Sequence, residues 1–392
     1  MQKPIGNGGK AVLTIGHMAG MIDMVALPLW IGGLMQHYRF SPQEAGVTVS
    51  LFLLGMVVAS AVLAPLFNRL ARRPIVVAGF TVAAACFALM ARQPIGDASV
   101  SLLAPLHALA GLGAGCGLSL VHGSIGRTDN PHRMFGLVNL AVATLGIGVF
   151  ATVPGLVAQH GASMLFLVFA AAMGLAAFAS LVGFPDVGDA APLPADGARS
   201  GNAARLIWIP IAVVICLTLN QAMVFAFVER IGAARGFGDG NVQAVLVTLG
   251  FVNLLPGPLA AWMQHRISPL AVGVAGPICQ AALALTLSNS PMFAPYALAV
   301  ALYVSMVIFT HTFLFGLLAR LDPSGRAASA TPAMMMVGSC LGPAVGGFIV
   351  SGFGYAGLGW AACVVAAVAV MLMLRLRAQL RGHADIGLRA FA

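Results

Sequence analysis

Charge is what this sequence lacks most. Only 8% of its 392 residues are Asp, Glu, Lys or Arg, while 60% are hydrophobic. A soluble domain carries about 25% charge, so a water-soluble fold is excluded. Metal-ligand spacing is also missing. The six cysteines, Cys86, Cys116, Cys216, Cys279, Cys340 and Cys363, all fall in apolar runs, as small core hydrophobes do, which argues against a disulfide framework or a zinc site. No His-Glu-x2-His is present. His122-Gly123-Ser124-Ile125-Gly126 lacks the first glycine of a nucleophile elbow. Gly8-Gly9-Lys10-Ala11 lacks the upstream glycine and the Ser/Thr of a phosphate loop. No enzyme activity and no cofactor are therefore expected.

What the chain does have is apolar runs long enough to cross a bilayer, which takes roughly 20 residues as a helix. The first extends from near Ala11 to Met35. It is too long for the core of a cleavable signal and reads as a first span. At roughly 30 residues per helix and loop, the length predicts an all-α integral membrane protein of about twelve spans. The spans are read at about 11–35, 43–67, 75–92, 100–124, 135–158, 162–184, 206–228, 241–263, 270–288, 294–318, 328–352 and 355–374. Residues 185–205, rich in Asp, Ala, Pro and Gly, read as a cytoplasmic linker between halves 1–184 and 206–392.

The net charge of +9 is a topology signal rather than a nucleic-acid signal. With the amino terminus inside, 16 of the 20 Lys and Arg residues fall on the cytoplasmic face and only Arg39, Arg92, Arg230 and Arg235 on the other. Both termini are then cytoplasmic, and short loops point to a cell inner membrane. The halves also repeat. Arg127-x-Asp129-x3-Arg133 recurs as Arg320-x-Asp322-x3-Arg326, and Ala64-Pro65-Leu66 as Gly257-Pro258-Leu259, each shifted by 193 residues. Two six-helix bundles of parallel topology follow.

One acid stands out. Asp23 lies about halfway along the first apolar run. A carboxylate at that depth costs at least ~2.5–3.5 kcal/mol by insertion scales, and binding a proton removes the charge. Asp23 is therefore the candidate proton carrier, with a hydrogen-bonded structural Asp as the alternative. No Lys or Arg is read deep in any span, which disfavours phosphate esters and dicarboxylates as cargo.

At this point the chain resembles a major facilitator superfamily permease along essentially its whole length. The family loop motif Gly-x3-Asp-Arg-x-Gly-Arg-Arg stands here as Ala64-x3-Asn68-Arg69-Leu70-Ala71-Arg72-Arg73. Asn68, Arg69, Arg72 and Arg73 would form a conformational latch, with Asn68 lacking the charge of the usual Asp. His107-x3-Gly111-x-Gly113-x-Gly115 is similar to the family's Arg-x3-Gly-x-Gly pattern, with His for Arg. Gly338-x3-Gly342-Pro343-x2-Gly346-Gly347 fits a pattern associated with drug antiporters, but in span 11 rather than span 5. Gly342 and Pro343 imply a thin, kinkable helix packed tightly on a neighbour.

The resemblance implies that spans 1, 4, 7 and 10 line a central cavity. Polar residues fall on all four: Asp23 and His107 for proton coupling, and Asn220, Gln221, Thr310 and His311 for substrate. For the histidines a satisfied core position is the alternative, and for Asn220 and Gln221 an interhelical hydrogen bond. The expected function is secondary transport by alternating access, as proton-coupled export of small amphipathic compounds. The alternative is proton symport importing a metabolite such as a monocarboxylate. The implied partners are a small molecule, protons and the lipid bilayer. Nucleic acid is not among them, and a monomer is expected.

Overall fold

The computed structural model describes residues 5–94, 100–128, 130–187, 206–321 and 331–382. Asp129, Asp322, Arg326, most of the linker (188–205) and the tail beyond residue 382 lie outside the described residues. Among the described residues the chain is helical without strands, and 12 helices or helix pairs are long and apolar enough to cross a membrane. Backbone contacts divide it into two compact units, Met1–Leu193 and Pro194–Ala392.

The first unit runs α1 (Asn7–Gly20), α2 (Ile22–Gln36), α3 (Pro42–Leu63), α4 (Arg72–Met90), α5 (Val100–Ile125), α6 (Pro131–His160) and α7 (Ser163–Gly183). The pair α1 and α2 makes one span, Asn7–Gln36, interrupted at Met21. Helix starts follow local chemistry. Ser41 and Glu44 close a reciprocal capping box on α3, with Pro42 in the first turn. Asn130 accepts from the Arg133 N–H to start α6.

Glycines on α5 set the packing of this unit. A Cβ on Gly111 would strike the Phe52 carbonyl, and one on Gly115 would lie 2.6 Å from the Met56 Cα, so this face seats on α3. Cβ atoms on Gly113 and Gly117 would lie 2.5 Å from the Gly79 carbonyl and from the Phe80 ring, so the opposite face seats on α4. Missing side chains let three backbones approach closely where hydrophobicity gives no net pull between helices in lipid.

The second unit runs α8 (Trp208–Phe225), α9 (Val228–Ala234), α10 (Asp239–Val252), α11 (Pro256–Met263), α12 (Pro269–Asn289), α13 (Phe293–Leu321), α14 (Thr331–Phe353) and α15 (Ala356–Gly382). Two of its spans are pairs, α8 with α9 and α10 with α11. Here the glycine seam lies on α14. Cβ atoms on Gly338, Gly342 and Gly346 would run into Thr218, Met223 and the neighbouring α8 backbone. The tight packing expected of the Gly342-Pro343 helix is thus made against α8. A core of Val213, Val214, Leu217, Val307, Leu314 and Met373 fills the unit behind it. Large apolar side chains such as Phe353, Val182 and Trp360 are exposed, as helices bordered by lipid require.

The span boundaries read from sequence hold to within a few residues except at the ends of the seventh span and of the twelfth, which runs on from 374 to Arg381. The seventh span was expected to stop at 228 but continues through α9 to Ala234. That brings Glu229 and Arg230 into the end of a span, so Asp23 is not the only acid in the membrane-spanning segments. The chain past Phe227 keeps burying apolar residues, Val228 and Ile231, which outweighs the two charges.

Candidate functional site

The break in the first span builds the most unusual polar setting in the molecule. Met21 takes φ −107° and ψ 18°, outside helix. The backbone passes through on Met21 N–H to His17 carbonyl at 3.0 Å and Met24 N–H to Met21 carbonyl at 3.2 Å. Helical geometry is interrupted at this turn, where the Met21 N–H also approaches the Ala19 carbonyl. Pro28 lacks an N–H and releases the Met24 carbonyl one turn on. Asp23 sits in the first turn of α2, 9% exposed. The backbone N–H groups of Asp23 and Met24 face its carboxylate, and the amino end of a helix favours an anion. Oδ1 nonetheless is buried with no hydrogen-bond partner. A span broken beside an unsatisfied carboxyl is where membrane transporters place ions and substrates.

The expected proton partner His107 is elsewhere. It is 0% exposed. Its Nε2 accepts from Trp30 Nε1 at 3.1 Å and its Nδ1 lies 2.7 Å from the Leu103 carbonyl. That pattern fits a neutral ring donating from Nδ1, and both nitrogens are used. Trp30, Phe87 and Phe166 pack their rings around it. His107 is a satisfied core histidine with no opening toward water, so the proton-coupling role expected for it finds no support here.

In the second unit the expected substrate residues separate. The Asn220 side-chain amide donates to the Ala362 carbonyl of α15 at 3.1 Å and its backbone carbonyl accepts from Tyr303 at 2.8 Å, while its buried Oδ1 has no partner. It is 1% exposed, which makes it an interhelical tie rather than a cavity residue. Thr310 is fully buried, bonds back to the Met306 carbonyl at 2.8 Å, and fills the space left by Gly276 of α12. Gln221 is half-buried. His311 stacks on Phe315 with ring centroids 5.0 Å apart, and its buried Nδ1 has no partner. Of the four, Asn220 Oδ1 and His311 Nδ1 are buried without a partner, and Gln221 is half-buried.

The arginine motif is assembled within the first unit. Arg127 donates to Asn68 Oδ1 at 2.7 Å. The guanidinium groups of Arg72 and Arg127 lie 5.0 and 5.2 Å from the centre of the Phe67 ring. Arg72 also donates to the Val187 carbonyl at 2.9 Å and approaches Asp186, while Arg73 donates to the Leu181 carbonyl. Arg69 is exposed. An amide thus does the accepting that a carboxylate would do in the family motif, without its charge.

Two further polar groups escaped the sequence reading. His122 Nε2 and His17 Nδ1 are 2.9 Å apart, joining α5 to α1. Glu229 of α9 is half-buried, and its buried Oε2 is unpartnered. The histidines are far apart in sequence with no spacing to join them, and Glu229 was read as a loop residue. Among the described residues no group of three or more His, Cys, Asp or Glu could hold a metal ion.

No curated protein matches the chain. Residues 12–339 match the family model described as Major Facilitator Superfamily. With twelve helices long and apolar enough to span a membrane and a family match over most of its length, the chain belongs to the major facilitator superfamily, a family of secondary transporters.

Proposed function

We propose that the protein exports small amphipathic organic compounds in exchange for protons, with Asp23 as the proton-carrying carboxyl. The observation that carries this reading is the placement of Asp23: mid-span, at a helix break, buried, with Oδ1 unpartnered. A carboxylate left so is costly, and a proton removes the cost. Loading and unloading of that proton then selects between conformations that expose the site to either side of the membrane. Gln221 and His311 are the cargo-facing candidates. The cargo is neutral or cationic, since among the described residues the Lys and Arg side chains within the spans all lie within seven residues of a span end, which leaves no fixed cation deep in the membrane for an anion.

The test uses a pump-deficient bacterial host expressing the full chain. Cells loaded with ethidium, as an amphipathic probe, should lose it faster than control cells, and an uncoupler should stop the difference. Asp23→Asn should abolish it with expression intact. Wild-type efflux in Asp23→Asn refutes proton coupling through this residue. Accumulation of a labelled monocarboxylate that an uncoupler collapses, with no efflux of ethidium, replaces export by proton symport.

A further inference from the structure

The first span holds two buried polar atoms with unfilled hydrogen bonding, one on each side of its break: His17 Nε2 and Asp23 Oδ1. His17 occupies the last turn of α1 and Asp23 the first turn of α2. Six residues separate them, about 9 Å along a helix axis, and the helix break at Met21 lies in that interval. On its other side His17 Nδ1 meets His122 Nε2 at 2.9 Å, with ring centroids 4.9 Å apart. His122 is half-buried where His17 is 2% exposed, and it stands five residues before Arg127, at the arginine-bearing end of the unit. The other side chains acting on the pair come from α6: Asn139 on His17 and the Phe135 ring on His122. Among the described residues no other acid or base acts on either ring.

We propose that His17 and His122 form a proton relay between Asp23 and the basic, cytoplasmic end of the first unit. The inference rests on the reading of Asp23 as the proton carrier. On release, the Asp23 O–H bond breaks and the proton passes along two or three waters at the helix break, at about 3 Å per hop. It bonds to His17 Nε2. The Nδ1–H of His17 then transfers to His122 Nε2, and the Nδ1–H of His122 leaves to cytoplasmic water. Each ring gains one proton and loses one, so charge and atoms balance. Afterwards each ring carries its proton on Nε2, and rotation of both rings resets the pair. An imidazole serves here because it accepts on one nitrogen while donating from the other. A single hydrogen-bonded histidine in a core, as at His107, has no such through path.

The test uses inside-out membrane vesicles carrying the full chain, energised to an acid interior, with acridine orange reporting the pH gradient and ethidium as the exchanged probe. Wild type should dissipate the gradient when ethidium is added, and Asp23→Asn should not. His17→Gln and His122→Gln should each slow the initial rate about tenfold. Ethidium binding, measured by fluorescence anisotropy on purified protein, should stay within about twofold of wild type, since neither ring is assigned to cargo. Added imidazole, a mobile proton carrier, should restore much of the rate in both variants. Wild-type rates in both variants overturn the relay. Slow rates that imidazole does not lift assign the pair to helix packing and overturn it as well. If wild type moves no protons, or Asp23→Asn moves as many, the reading of Asp23 fails and the relay falls with it.

Discussion

The two units descend from one repeated pattern in the sequence yet draw their helices together in different places. In the first unit α5 is the tight helix, pressed on α3 by Gly111 and Gly115 and on α4 by Gly113 and Gly117. Shifted by 193 residues, these positions are Val304, Met306, Ile308 and Thr310, none of which lets a backbone in. In the second unit α14 is pressed on α8 by Gly338, Gly342 and Gly346, whose counterparts are Leu145, Val149 and Val153. A shared topology fixes the order of helices. The points of closest approach are set by where a Cβ has been deleted, and each half has deleted its own.

The contrast can be broken most forcefully at the seams. Gly111→Val drives a branched side chain into the Phe52 backbone and should cost about 3 kcal/mol. Folded protein recovered by size-exclusion chromatography after detergent extraction should fall sharply. Gly342→Val should do the same in the second unit. Gly148→Ala on α6, where a Cβ meets open space, should leave recovery unchanged. If Gly148→Ala proves as damaging as Gly111→Val, the seams are not what hold the units.

The next effect compares the polar ties that seal each unit. His107→Leu strands the Trp30 N–H and should cost about 1–3 kcal/mol. Asn220→Leu removes the tie to Ala362 but also strands no charge, so its cost should be similar. Both should lower the thermal midpoint while leaving the proton stoichiometry of ethidium exchange intact. Asp23→Asn should do the reverse, losing exchange while keeping or raising the midpoint.

A smaller effect is expected at the arginine end. Asn68→Asp gives Arg127 a charged acceptor. It should raise the midpoint by an amount worth about 0.5–1 kcal/mol at low salt, shrinking as salt is added. No counterpart exists in the second unit, where the equivalent residue is Ala261.

The smallest concerns Tyr38, between the first two spans. Burial pushes its phenol up to about 12, and its hydroxyl has no hydrogen-bond partner. The folded state therefore holds the phenolic proton more tightly than the unfolded chain. Its contribution to stability is complete below pH 10 and is lost as pH rises from 10 toward 12. Tyr38→Phe should be neutral or slightly stabilising near pH 7, and should remove the corresponding step from a spectrophotometric tyrosine titration.

Much of the molecule was legible before any coordinates. Apolar runs and arginine placement gave the spans, because the bilayer demands long apolar helices regardless of what each packs against. The unusual setting of Asp23 was legible for the same reason, since only a buried, special environment retains an acid at that depth. The other site residues were less so. His107, Asn220 and Thr310 lie on the helices expected to line a cavity, but each side chain turns to a neighbour within its own unit. A sequence says which helix a polar residue occupies, not which way its partner lies. Glu229 was missed because two adjacent charges mimic a loop, and the His17–His122 pair because its members sit 105 residues apart.

By itself, then, the sequence determined the helical class, the span order, the repeat and the one intramembrane acid on the first helix. These follow from the solvent, and every residue feels the solvent alone. The break at Met21, the glycine seams and the pairing of His17 with His122 were decided only by tertiary structure. Each depends on two segments meeting at a few ångströms, and no single segment carries that information.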